Sequence, residues 1–361
     1  MSESMALVGL DVHAAQTHAA VLRAATGELS RAKLRMAPLE VLGFLEGLGG
    51  QVRAVYEAGP SGFMLARAAQ ARGLDVRVVA PGLIPRAPGD RVKTDRRDAE
   101  RLVRLLAAGE LSFSYVPSEA DEQFRDLVRG IEDNRGDLMR SRHRLSKLLQ
   151  RRALRYPGPG ATWTQAHWAW LRALRFEDPC SQAIFADYLA GIELLLARRS
   201  TLVATLEAQI PACSHAATIA ALRCFRGIDM LTAAGVCADV GDWRRFPKPK
   251  HVSGFLGIVP CEHTSDTKRR QGAITKAGPG HARRLLVEAA WHYRHRPAVG
   301  VTLARRQQGQ DPRAIAIAWR AQQRLHRRYH DLARRRKPSG VITIACAREL
   351  AAFCWEAAHL D

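Results

Sequence analysis

The stretch ALVGLDVHAAQTHAAVLR, residues 6–23, contains two short apolar runs, Ala6 to Leu10 and Thr17 to Leu22, joined by a turn across Val12 to Gln16. Leu29 to Met36 alternates basic and apolar side chains, as a third strand does. Pro38 to Leu48 changes period, with Leu39, Leu42, Phe44, Leu45 and Leu48 close to helical spacing. Val52 to Tyr56 and Val76 to Ala80 are β-rich runs on either side of the helical stretch Gly62 to Ala71. Beyond a Pro/Gly-rich loop, Asp95 to Ala108 reads as a helix that buries Leu102, Val103, Leu105 and Leu106. The order is three antiparallel strands, then helix, strand, helix, strand, helix.

Ribonuclease H-like (RuvC-like) folds use that order, so residues 1–115 are expected to form an α/β domain of this class. From Glu119 the pattern is different. Phe124, Ile131, Leu138 and Leu145 recur every seven residues, which predicts a long helix with a coiled-coil seam. YPGPG at Tyr156 to Gly160 breaks it, and a second seam runs from Phe185 through Ile192 to Leu206. Residues 116–215 are therefore expected to form a coiled-coil helical hairpin, with a dimer interface as the second use of its seam. Residues 216–361 read as a mainly α domain.

Lys and Arg total 55 against 35 acidic residues, a net charge of +20. Such an excess repels itself and is tolerated best opposite a polyanion, most often nucleic acid. Residues 281–361 hold 16 Lys or Arg and 6 acids, half of the excess, in clusters such as Arg324-His326-Arg327-Arg328 and Arg334-Arg335-Arg336-Lys337. The seven cysteines form no CxxC pair and are odd in number, which argues against a disulfide framework or zinc knuckle. With no signal-peptide pattern and no apolar run of about 18 residues, the expectation is a cytoplasmic, nucleoid-associated protein without a membrane partner.

Four acids stand out. Asp11 closes the first strand (ALVGLD) and Glu57 the fourth (VRAVYE), while Asp95 and Asp98 share one face at the start of the helix in VKTDRRDAE. In a sheet of this class the first and fourth strands are neighbours, so the four carboxylates converge. Like charges that close are tolerable when divalent cations neutralise them, and hard oxygen donors favour Mg²⁺ or Mn²⁺. Two such ions can clamp the attacking and leaving oxygens of a phosphodiester.

A second group lies in CEHTSDTKRRQGAITKAGPGHARRLL, where Ser265 is surrounded by Lys268, Arg269, Arg270, Lys276, Arg283 and Arg284. Positive charge around a hydroxyl suits either phosphate binding or nucleophilic attack on phosphorus. Trp163, Trp168 and Trp170, alternating with His167, admit base stacking or packing against the hairpin, and packing is the favoured reading.

The motifs GLD, YEAGPSGF, APGLIPRAPGDRVKTDRRDAERL, RGID, RRF, FLGIVP and GAITKAG together resemble the DEDD transposases of insertion sequences, over most of the chain. That resemblance implies a DNA transposase and recombinase in which Asp11, Glu57, Asp95 and Asp98 form the RuvC-like metal site. It implies that Ser265, at the matching distance beyond GIVP (Gly257 to Pro260), is a nucleophile forming a transient phosphoserine link to DNA. Its partners would be donor and target DNA, a non-coding bridge RNA, and further copies of the chain in a homodimer or homotetramer. Two departures bear on activity: Asp266 replaces the glycine usual after the serine, and Gly278-Pro279 replaces a glycine-asparagine pair. The alternatives are a metal-dependent hydrolytic junction resolvase using only the four acids, and an inactive nucleic-acid-binding relic. An actin-like or sugar-kinase ATPase is disfavoured because VHAAQT at Val12 to Thr17 lacks a glycine-rich phosphate loop.

Overall fold

Five strands form one sheet in the order β3-β2-β1-β4-β5, comprising β1 (Ala6–Val12), β2 (Gln16–Arg23), β3 (Leu29–Arg35), β4 (Val52–Glu57) and β5 (Asp75–Val79). The first three pair antiparallel, while β4 runs parallel to β1 and β5 parallel to β4. The computed structural model describes residues 5–35, 37–59, 61–85, 95–262 and 271–360, and for residues 83, 95 and 96 the backbone alone. Two compact units result, Met1–Ser118 and Glu119–Asp361.

In the first unit, alternation along each strand divides the sheet into two faces. Ala6, Val8 and Leu10 of β1, with Ala54 and Tyr56 of β4, enter a core closed by α1 (Pro38–Gly47) and α2 (Met64–Ala71) through Leu42, Leu45 and Leu65. Leu7 of β1 and Val55 of β4 lie on the other face, under Ala99, Leu102, Val103 and Leu106 of α3 (Asp95–Ala107). The observed elements follow the apolar periods of the sequence closely, because each period has a core of its own to fill.

The second unit opens with the antiparallel pair α4 (Glu119–Arg151) and α6 (Pro179–Gln209). The direction follows from their cross-contacts: Asn134 Nδ2 donates to the Leu195 carbonyl at 3.2 Å, and Arg152 donates to Ser181 Oγ. The seven-residue series Phe124, Ile131, Leu138 and Leu145 is buried. Helix α6 commits less of itself, burying Ser181, Phe185, Ile192 and Leu206 and leaving Leu194 exposed. Helix α5 (Gln165–Ala173) packs at the far end of the pair, where half-buried Trp163, Trp168 and Trp170 lie against a small core of Leu145, Leu171 and Phe185. The segment Pro179–Ala212 is long and apolar enough, by length and composition, to cross a membrane. The core helix of a helical bundle passes the same test, and α6 packs along α4 through Phe185 and Ile192 and carries charges such as Glu193.

The remainder is helical: α7 (Ala216–Leu222), α8 (Met230–Val240), α9 (Pro249–Phe255), α10 (Gly280–Ala290), α11 (Val301–Gln307), α12 (Pro312–Arg334) and α13 (Ser339–Ala357), of which all but α11 surround one core with Phe225, Val236, Leu286, Tyr293, Leu325 and Leu350. A short antiparallel ladder of β6 (Pro260–Glu262) and β7 (Gln271–Ile274) interrupts them. All seven cysteines are free. Burial pushes the Cys224 thiol up to about 11 and Cys346 up to about 12, so both stay protonated and unreactive at neutral pH.

Candidate functional site

The β1–β4 register pairs Leu10 with Tyr56, so Asp11 and Glu57 are the next positions on two neighbouring parallel strands. Such strands lie about 4.8 Å apart. By alternation both residues share the parity of Leu7 and Val55, which places them on the sheet face covered by α3. Both are half-buried, as is Asp98.

The approach of α3 to this strand end depends on Gly9. A Cβ at Gly9 would overlap the Ala99 carbonyl oxygen and lie 2.7 Å from the Val103 nitrogen, so only glycine admits the helix backbone here. Ala99 follows Asp98 directly, and Gly9 is two residues before Asp11. One close contact therefore fixes the strand end and the first turn of α3 against each other. Residue 95 is three positions before Asp98 in the same helix, and its side chain lies outside the described residues. Asp11 Oδ2 is 3.0 Å from Nε2 of the exposed His13, a partner that the sequence reading did not single out. Among the described residues no three His, Cys, Asp or Glu side chains form a metal-holding group. The carboxylate oxygens at Asp11, Glu57 and Asp98 are nonetheless of the hard type that Mg²⁺ or Mn²⁺ takes.

The serine segment belongs to the second unit. Ser265, Asp266, Lys268, Arg269 and Arg270 lie outside the described residues, between β6 and β7 in sequence. The base of this β pair is described in detail. Thr275 N donates to the Val259 carbonyl at 2.9 Å and Lys276 N to that of Gly257 at 3.1 Å. Gly278 has φ +65°, and a Cβ there would overlap the Phe255 carbonyl oxygen, so the GAITKAG and FLGIVP motifs interlock backbone to backbone. The sequence signal for this lock is the pair of glycines, Gly257 and Gly278, one in each motif.

Three basic residues grouped with Ser265 by sequence occupy different settings. Lys276 is exposed. Arg283 donates from Nη1 to the Leu256 and Ala277 carbonyls at 2.9 and 2.8 Å, tying the base of the β pair to α10. Arg284 is 2.8 Å from both Glu132 and Glu288. Burial alone would raise the Glu132 carboxyl, but its hydrogen bond from Arg135 and the charge of Arg284 hold it below the usual range. Both arginines are half-buried and hold partners within the second unit.

Pro279 stands at the N-cap of α10 and brings no side-chain acceptor. Asp239 of α8 supplies one, accepting from Ala282 N at 2.9 Å, and also approaches His281 Nδ1 at 3.3 Å. A borrowed cap of this kind offsets what the glycine-asparagine pair would lose at Pro279. Asp239→Ala should cost about 1–2 kcal/mol in chemical denaturation. Asp239→Asn, which keeps an acceptor, should recover most of it. Equal midpoints for the two variants would refute the capping role.

Comparison with known proteins adds the ancestry. A family model for transposases, that of the DEDD domain of IS110-type elements, matches residues 8–152, and one described as the transposase IS116/IS110/IS902 family matches residues 202–308. A putative transposase of Sinorhizobium fredii, y4qE, is 41% identical over 305 residues, covering 84% of this chain and 74% of the relative. The transposase for insertion sequence element IS1533 of Leptospira borgpetersenii is 30% identical over 336 residues, 91% of this chain and 97% of the relative. A probable family 20 transposase of Pseudomonas aeruginosa is 28% identical over 306 residues, 83% of this chain and 81% of the relative. The DEDD domain implies the ribonuclease H-like fold that the sheet order displays, and the chain belongs to the IS110 family of transposases.

Proposed function

We propose that the chain transfers DNA strands through two sets of residues, an acidic set at Asp11, Glu57, Asp95 and Asp98 and a nucleophile at Ser265. The observation that carries this reading is the adjacency of Asp11 and Glu57 on one sheet face beneath α3, with Asp98 beside the Gly9 contact. Mg²⁺ or Mn²⁺ held there would polarise the phosphodiester and offset charge on the departing oxygen. The protein's own contribution is placement: two strand ends and one helix turn hold the carboxylates fixed, so little reorganisation is left for the reaction.

Ser265 Oγ attacks the phosphorus as the hydroxyl proton leaves. The bond from phosphorus to the sugar oxygen breaks, and that oxygen takes up a proton. The phosphoserine link conserves the bond, so attack by a second strand's hydroxyl rejoins DNA and frees the serine. Support for this step comes from the match to FLGIVP and GAITKAG and from the interlocked glycines at the base of the β pair. Donor and target DNA are the substrates, with a non-coding bridge RNA choosing them, and a homodimer or homotetramer is the working form. A metal-dependent hydrolytic junction resolvase is the second reading, because the acidic geometry needs no serine.

The test uses the full chain, Mg²⁺, end-labelled junction DNA of its own element and the flanking non-coding RNA. The expected result on a denaturing gel is a labelled protein–DNA adduct that Ser265→Ala abolishes. Nicking that persists in Ser265→Ala without any adduct would replace this mechanism with the hydrolytic one. Activity that is unchanged when the RNA is omitted would remove the guide.

A further inference from the structure

We infer that the far end of the α4–α6 pair is a docking surface for the phosphate backbone of a DNA duplex. Between Arg140 and Phe176 the chain carries nine Lys or Arg and no Asp or Glu, and this stretch holds three of the seven tryptophans. These residues fold together as the end of α4, the following loop and α5. The basic excess that the sequence locates in the last quarter therefore has a second, more uniform centre here.

On α4, Arg140, Arg144, Lys147 and Arg151 recur at four, three and four residues, one exposed stripe about 16 Å long. Arg140 is paired with Asp137. Arg144 reaches only the Ser141 hydroxyl and Lys147 only the Gln150 amide oxygen, both neutral. Arg151 and Arg155 are exposed, and Arg175 donates to the Arg172 and Leu174 carbonyls. Among the described residues none of these five has a carboxylate partner. Elsewhere the contrast is plain, since the basic stretch of α12 is partly neutralised by Arg320–Glu356 and Arg324–Glu349.

The tryptophans decide between backbone and bases. Arg142 covers the Trp163 ring at 4.7 Å and Arg172 the Trp168 ring at 5.3 Å, while Trp170 stacks on His167. Rings already covered are poor platforms for bases and good struts for a rigid end. A straight, stiff row of cations in which Arg144, Lys147 and Arg151 have no carboxylate partner among the described residues suits a regular phosphate backbone, which favours duplex over single strand.

The experiment measures anisotropy of a labelled 30-base-pair DNA duplex of arbitrary sequence with the full chain across a salt series. The tip variant combines Arg144→Gln, Lys147→Gln, Arg151→Gln and Arg155→Gln. Its control removes four exposed but paired cations, Arg72→Gln, Arg313→Gln, Arg320→Gln and Arg334→Gln, so net charge falls equally. The tip variant should bind at least about tenfold more weakly, with a salt slope shallower by about 3–4, and the control should change far less. A charge-keeping version, with lysine at 144, 151 and 155, should bind like wild type. Unaltered circular dichroism and melting will show that the tip variant folds. Equal losses in tip variant and control would overturn the inference, as would equal or tighter binding of the single strand. It would also fall if the tip variant lost binding to phosphatidylserine vesicles while keeping the duplex.

Discussion

Asp11→Asn should abolish strand cleavage and transfer, with a fall of at least about three orders of magnitude, or about 4 kcal/mol of transition-state stabilisation. The substitution keeps size and hydrogen-bonding capacity and removes one charge, so the fold should survive it. In the absence of divalent ions it should even relieve repulsion, because Asp11 and Glu57 follow paired residues on adjacent strands of the same face. The two effects are separable by thermal unfolding. If the acidic set takes up Mg²⁺ in the folded chain alone, the ion should raise the melting temperature of wild type through mass action. In Asp11→Asn, and likewise in Glu57→Gln, that rise should shrink or vanish while the melting temperature without metal stays equal or increases. Full activity in Asp11→Asn would sink the acidic site outright. An inactive variant with an unchanged Mg²⁺ response would move the metal elsewhere and leave Asp11 another role. His13 offers a graded comparison: His13→Ala removes the 3.0 Å neighbour of Asp11 Oδ2 without touching the carboxylate, so its effect should be far smaller.

How much of this was legible in the sequence depended on whether partners lie close in the chain. Strands β1 to β5 and helix α3 were readable because each carries its own alternation or period, and strand-end acids follow from where those periods stop. The ladder of β6 and β7 was not, since two strands of three and four residues carry too few alternations to show a period. Arg283 and Arg284 read as part of a basic patch because their neighbours in sequence are basic. The acid that holds Arg284 is Glu132, 152 residues away, and only folding brings it near. Asp239 was passed over for the same reason: its role is to cap a helix that begins 41 residues later. The tip of the α4–α6 pair shows the converse limit. Its positive charge is countable in the sequence, but the alignment of Arg144, Lys147 and Arg151 in one stripe, and the covering of Trp163 and Trp168 by arginines, are properties of the fold.

Gly9→Val should displace α3 from the first unit's sheet, costing about 3 kcal/mol or more and lowering the melting temperature by roughly 10 °C. The clash is steric and local. Two methyl groups on a new Cβ would enter space now held by the Ala99 carbonyl oxygen and the Val103 nitrogen, both of them helix backbone. Valine suits a strand, so the pairing of β1 with β2 and β4 should hold, and α3 should be the element that yields. Leu102, Val103 and Leu106 would then leave the core they share with Leu7 and Val55. Because the obstruction is backbone, trimming side chains should not relieve it: Ala99→Gly or Leu102→Ala added to Gly9→Val should make matters worse. Hydrogen exchange gives the direct reading, with amides of α3 losing protection while those of β1, β2 and β4 keep theirs. Activity should disappear along with any Mg²⁺-dependent rise in melting temperature, since Asp98 travels with the displaced helix. A Gly9→Val chain that melts within a degree of wild type would show that α3 has slack against the sheet. The acids would then owe their placement to the strands alone, and Asp98 would lose its claim to the site.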